Sequence, residues 1–157
     1  NKTIRVNPRE INFQSEVLMN AKEYLGQALN IDRSINSKLE QVASLHELAT
    51  KATTLMSDMP GSPNRNIHKM EDAIVKMVDL ENEIYSDIHR LVEIKTDITR
   101  LIKRLGNRDQ QLILEQRYLC FRPWEQIAVD LDFSIQHTFR IHDAAVKEIA
   151  KFLEDES

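Results

Sequence analysis

The sequence predicts an all-α protein: a long antiparallel helical hairpin, a coiled coil, followed by a small helix-turn-helix domain. Three observations carry this. Turn formers are scarce, with 3 Gly and 4 Pro in 157 residues, too few for the tight turns of a β-rich or doubly wound fold. Aromatics make up 6 % of the chain, so a large globular core is not expected, whereas coiled-coil seams need only Leu, Ile, Val, Met and Ala. Apolar residues also recur at heptad spacing along two long stretches.

Residues 1–18, NKTIRVNPREINFQSEVL, show no helical periodicity. Met19 then opens MNAKEYLGQAL, a good helix start. The first stretch is expected to be a non-native or flexible extension, with Met19 as the initiator; the rival reading is an ordered N-terminal arm. The first arm of the hairpin follows. Ala28, Ile35, Val42, Ala49 and Met56 recur every seven residues, with Ile31, Leu45 and Ala52 between them. Leu39 is expected to fill the gap that Lys38 leaves in this seam.

The second arm carries an unbroken heptad series, Met70, Met77, Ile84, Leu91, Ile98 and Leu105, with Leu80, Ile88, Ile94 and Leu101 as the intervening knobs. No Gly or Pro interrupts Ile67 to Leu105, a helix on the order of 55–60 Å long. Asp58-Met59-Pro60-Gly61-Ser62-Pro63-Asn64-Arg65-Asn66 separates the arms. Its prolines and glycine break a helix, and Asn66 is expected to cap the next one. A bare hairpin buries each helix on one side only, and the first arm's Ala-rich seam buries little area. A second copy of the chain, completing a four-helix bundle, is therefore the expected partner; the other possibility is a lone hairpin.

The C-terminal third holds the most specific pattern. Gly106 ends the long helix, and Asn107 with Gln110 forms a capping box. A helix through Tyr118 leads by Leu119-Cys120-Phe121-Arg122 to Pro123, which suits a helix's first turn. Then Trp124 to Leu131, a turn, and a helix from about Ser134 to Leu153 make a helix-turn-helix. Ala128 is small where the helices cross. Asp132 sits where the turn wants a positive φ, Phe133 plugs the core, and Ser134 caps the second helix. The expected boundaries are 1–18 for the extension, 19–105 for the hairpin, 106–153 for the helix-turn-helix domain and 154–157 for an acidic tail.

Arg117-Tyr118, Pro-Trp-Glu-Gln-Ile-Ala at 123–128 and Phe-Arg-Ile-His-Asp-Ala-Ala-Val-Lys-Glu-Ile at 139–149 resemble region four of sigma factors. Ile141, Ala145, Val146 and Ile149 take the places of that module's apolar pattern. The whole of 19–152 is similar to small prophage proteins of Gram-positive bacteria, grouped with late transcription regulators of the RinA and ArpU kind. The Met-Pro-Gly-Ser-Pro turn, Arg-Tyr-Leu-Cys-Phe and Trp-Glu-Gln-Ile-Ala carry this second resemblance. It implies a phage-encoded transcription regulator that is not an enzyme.

In such a module the second helix enters the major groove with its first turns. Ser134, Ile135, Gln136, His137, Phe139 and Arg140 are then the candidate DNA-contacting residues. Gln136 can pair with adenine and Arg140 with guanine. Lys147, Arg122 and Arg108 can hold phosphates, and the Arg100-Lys103-Arg104 cluster can lie near the duplex. The sequence departs from the sigma pattern here, because Arg140 is the lone fixed cation in the first two turns. Either the protein shares the load as a dimer or beside RNA polymerase, or Ile135 and Phe139 are apolar anchors for a protein. The second alternative is a non-enzymatic interaction protein that inhibits or redirects a host complex, RNA polymerase or a defence nuclease.

Composition bounds the rest. The net charge is −4, and nearly all the excess acid lies in residues 107–157, which argues against DNA binding. Cys120 is the only cysteine, so neither an internal disulfide nor a Cys-rich zinc site is expected, and a reducing, cytoplasmic compartment is; the prophage resemblance implies that this is the cytoplasm of a bacterial host. No apolar run approaches a membrane span. Glu71, Asp72, Asp79, Glu81, Glu83 and Asp87 lie mostly off the seam among lysines and arginines, a solvated face rather than a metal site. The five histidines have no ligand spacing, and no nucleophile stands beside a base. No cofactor is expected.

Overall fold

The computed structural model describes residues 8–58 and 63–156. Its elements are α1 (Pro8–Asp58), α2 (Pro63–Lys103), α3 (Arg108–Leu114) continuing into a π-helical turn at Glu115–Leu119, α4 (Trp124–Leu131) and α5 (Ile135–Glu156). No strand occurs among the described residues. The all-α hairpin followed by a helix-turn-helix is therefore present, with differences at its ends.

The first helix begins at Pro8 rather than at Met19. Proline fits a first helical turn, whose N–H groups lack intrahelical partners, and no glycine or further proline interrupts the chain before Gly26. The second helix begins at Pro63 for the same reason, so Asn66 lies inside it and is not its cap. Met59 to Ser62, the middle of the expected turn, lie outside the described residues.

The chain divides into two compact units, one of Asn30–Val92 and one of Asn1–Leu29 with Glu93–Ser157. In the Asn30–Val92 unit, α1 and α2 pack as the two arms of the hairpin. Only Ile35, Ala73 and Ile84 are buried among its described residues. Two of the expected seam positions differ. Leu39 and Ile88 are exposed, and the seam instead holds Lys38 and Asp87. The Lys38 ammonium donates to the Asp87 carboxylate at 2.6 Å and lies 3.5 Å from Glu83. The hydrogen bond to the Asp87 carboxylate holds the Lys38 pKa above its ordinary value. Lys38 continues the seven-residue series Ile31, Lys38, Leu45, as Asp87 continues Leu80, Asp87, Ile94. Strict periodicity outranked the hydrophobicity of the adjacent residues. A polar layer of this kind specifies register, since any slip separates the two charges.

In the second unit the core draws on every helix. Ala21, Leu25 and Ala28 of α1 are buried, as are Ile98, Leu101 and Ile102 of α2, and Leu105 just beyond it. Ile113 and Leu114 of α3, Ile127 and Ala128 of α4, and Ala145, Val146, Ile149 and Ala150 of α5 complete it. The Asn107 side chain caps α3 by accepting the Gln110 N–H at 3.1 Å. The Gln111 side-chain amide then donates to the Leu105 carbonyl at 2.7 Å, satisfying an acceptor freed where α2 ends. Residues 154–156, expected as a tail, continue α5. Glu156 there pairs with Arg100 at 2.6 Å and Arg104 at 3.3 Å. Arg104 also stacks over Phe152, 4.2 Å from its ring centroid. The hydrogen bond from Arg100 holds the Glu156 carboxyl below its ordinary pKa.

Among the described residues two non-glycines adopt positive φ, Phe121 at 59° and Asp132 at 56°. Asp132 ends α4, and its N–H donates back to the Val129 carbonyl at 3.2 Å. The left-handed region costs an L-residue roughly 1–2 kcal/mol, least for Asp, Asn and Gly. Asp132→Gly should leave stability unchanged or raise it, and Asp132→Val should lower it by about 1–2 kcal/mol; urea midpoints of the two variants check this.

Candidate functional site

The turn after Asp132 sets the direction of α5. The Phe133 N–H donates to the Ala128 carbonyl at 2.9 Å, drawing the chain back over α4. Ser134 then caps the next helix: its hydroxyl accepts the His137 N–H at 3.1 Å, and its carbonyl accepts both the N–H and the hydroxyl of Thr138 at 3.0 Å. With Thr138 fully buried, the 3.6-residue period turns His142, Ala145, Val146 and Ile149 inward as well. The opposite face presents Gln136, His137, Phe139, Arg140, Asp143, Ala144 and Lys147 to solvent.

The sequence-predicted site residues divide on this geometry. Gln136, His137, Phe139, Arg140 and Lys147 share the outward face. Ile135 is half-buried. Ser134 is exposed, but its hydroxyl is engaged in the cap. Arg140 and His137 border a shallow cleft against the start of α3, lined also by Asn107, Asp109 and Gln110. Arg108 opens α3 and is exposed. Arg122 is committed within the fold, its guanidinium donating to Asp130 at 2.7 Å. Arg100 and Arg104 are likewise paired with Glu156, so the charge of all three guanidinium groups is partly offset by a carboxylate.

Behind the outward face lies an aromatic cluster that sequence reading placed only in part. Trp124 meets Phe139 edge-on at 5.1 Å and His142 at 4.7 Å, while the Arg117 guanidinium lies 4.7 Å from the Trp124 ring centroid. The Tyr118 hydroxyl and His142 Nε2 are 2.7 Å apart, and His142 Nδ1 lies 3.0 Å from an Asp143 carboxylate oxygen. One neutral tautomer satisfies both contacts, with Nδ1–H donating to Asp143 and Nε2 accepting from Tyr118. Burial lowers the His142 pKa and outweighs the hydrogen bond to the Asp143 carboxylate, which raises it. Burial also pushes the Tyr118 phenol up to about 12, so Tyr118 keeps its proton. The available signal was positional: His142 stands four residues after Thr138 and three before Ala145, on the inward stripe. Among the described residues no group of His, Cys, Asp and Glu side chains could hold a metal ion.

A family model described as protein of unknown function (DUF1492) matches residues 61–150. The chain belongs to the DUF1492 family. The match covers all of α2, α3 and α4 and most of α5, so the helix-turn-helix and its outward face lie inside the family's common region. Neither a curated protein nor a solved structure gives a significant match to this DUF1492 chain. No helix of the described residues is long and apolar enough to cross a membrane.

Proposed function

We propose that this DUF1492 protein is a phage-encoded, sigma-region-four-like transcription regulator that binds DNA through the first turns of α5. The observation that supports the reading is the capped start of α5. It follows a left-handed turn and carries Gln136, His137 and Arg140 outward together, in the place where a helix-turn-helix presents base-reading side chains. Gln136 and Arg140 are the base readers, on adenine and guanine, and Lys147 and Arg108 approach phosphates. Asp143 shares the face and repels the backbone, so the footprint is short and the salt dependence shallow. A second copy of the chain, or RNA polymerase alongside, supplies the remaining affinity.

A gel shift on DNA flanking its own gene, at two salt concentrations, tests this. Arg140→Ala and Gln136→Ala should each weaken specific binding about tenfold to a hundredfold, the worth of one bidentate base contact. A second reading is favoured by the exposure of Phe139 and Val129 and by the acid excess of residues 107–157. In it the protein is an interaction protein that inhibits or redirects a host complex, RNA polymerase or a defence nuclease. Absence of DNA binding at low salt, with one of those complexes co-purifying stably, decides for it.

A further inference from the structure

The hairpin unit of residues 30–92 has little core of its own, yet α2 carries a second apolar stripe outside the seam. Ile74, Val78, Tyr85, Ile88 and Val92 are all exposed, Tyr85 by 67 % and Val92 by 60 %. With Glu81 they follow steps of four, three, four, three and four residues, the spacing of a heptad seam. The Lys38–Asp87 pair explains its completeness: because Asp87 occupies the hairpin seam, Ile88 is turned out into this stripe. The order reads alike from both ends. Branched aliphatics stand at both extremes (Ile74, Val92) and next to them (Val78, Ile88), and a complementary pair stands at the centre (Glu81, Tyr85).

We infer that this stripe is the surface on which two copies of the chain associate, with their α2 helices antiparallel about a twofold axis beside residue 83. Ile74 then meets Val92 of the second copy, and Val78 meets its Ile88. The Tyr85 hydroxyl donates to the second copy's Glu81 carboxylate, once on each side of the axis. A twofold interface requires a patch complementary to itself. An unrelated partner would need no such reversal symmetry, and this selects a second copy as the occupant. The five side chains offer on the order of 500 Å² per copy, and the second helix of each hairpin adds flanking area toward the roughly 800 Å² per partner of a standard interface. The inference extends the paired-module part of the proposed function but does not depend on DNA.

Light scattering on the full chain at micromolar concentration should give twice the 18.3 kDa chain mass. Tyr85→Glu, which sets two carboxylates against each other at each side of the axis, should give a monomer of unchanged helicity by circular dichroism. Cysteine pairs fix the orientation in a Cys120→Ser background. A mixture of Ile74→Cys and Val92→Cys chains should cross-link on oxidation, whereas Ile74→Cys alone should not. A monomeric parent, a dimer indifferent to Tyr85→Glu, or self-cross-linking of Ile74→Cys would overturn the inference, whatever the outcome of the gel shift.

Discussion

Truncating Ile149 to Ala should cost about 2–5 kcal/mol of folding stability, the range for opening a cavity at a fully enclosed branched side chain. Ile149 has no exposed surface, and it stands on the α5 stripe with Ala145 and Val146. Helix α5 packs against α3, whose Ile113 and Leu114 are equally enclosed, and against α4. A smaller side chain there loosens the contact that fixes the direction of the α5 outward face. The loss should appear as a lower urea midpoint, and Ile149→Ala should also weaken any partner contact made by Arg140 without touching that residue. Val129→Ala is the matched control. Val129 is 74 % exposed on the neighbouring helix, so its truncation should change stability by less than about 0.5 kcal/mol. Equal effects of the two substitutions would contradict the burial pattern.

Acid should destabilise the α3–α5 module through His142. The folded state holds this imidazole neutral, and its pKa lies below the ordinary 6.5 because of burial. Below the ordinary value the unfolded chain binds a proton that the folded chain refuses, so stability falls with pH. His142's contribution is complete above pH 6.5 and is lost as pH falls through the lowered folded value. Lys22, Arg117 and Asp143 are the charged groups that act on the ring. The two cations reinforce the lowering, and Asp143 opposes it. Melting curves from about pH 8 to about pH 5 should show a declining acid limb that His142→Leu flattens. At neutral pH the same variant should be about 1–3 kcal/mol less stable, since the Tyr118 hydroxyl loses its acceptor. A variant whose acid limb matched the parent's would assign that limb to carboxylates instead.

Much of this architecture was legible because it depends on local chemistry. The Asn107 cap, the positive φ at Asp132 and the Ser134 cap each follow from what one residue type can do at a chain reversal, and each is present. The heptad series of α2 likewise located the hairpin. The misplaced elements were those in which periodicity and hydrophobicity disagreed. At Lys38 and Asp87 the neighbouring Leu39 and Ile88 looked like better seam residues, but a helix cannot turn one position inward without turning the others out. Each charge lacked an evident reason to be there until the opposite arm supplied the other. Pro63 counts among the helix-breaking residues of the turn in the sequence, yet a proline in the first turn begins a helix as readily as it ends one.

The candidate site was legible to the same degree. Sequence alone determined which side chains follow the Asp132 turn and that a 3.6-residue period separates Gln136 and Arg140 from Thr138 and Ile149. Only the tertiary structure decided which cations are available. Arg122 is taken by Asp130, and Arg100 and Arg104 by Glu156, a residue more than fifty positions away in the chain. It also decided that His142 lies beneath the outward face, closed in by Tyr118 and Trp124. The reason is physical. Helical periodicity and capping act over a few residues and are written in the local sequence, whereas the desolvation and pairing of a charge depend on groups that folding brings together from distant parts of the chain.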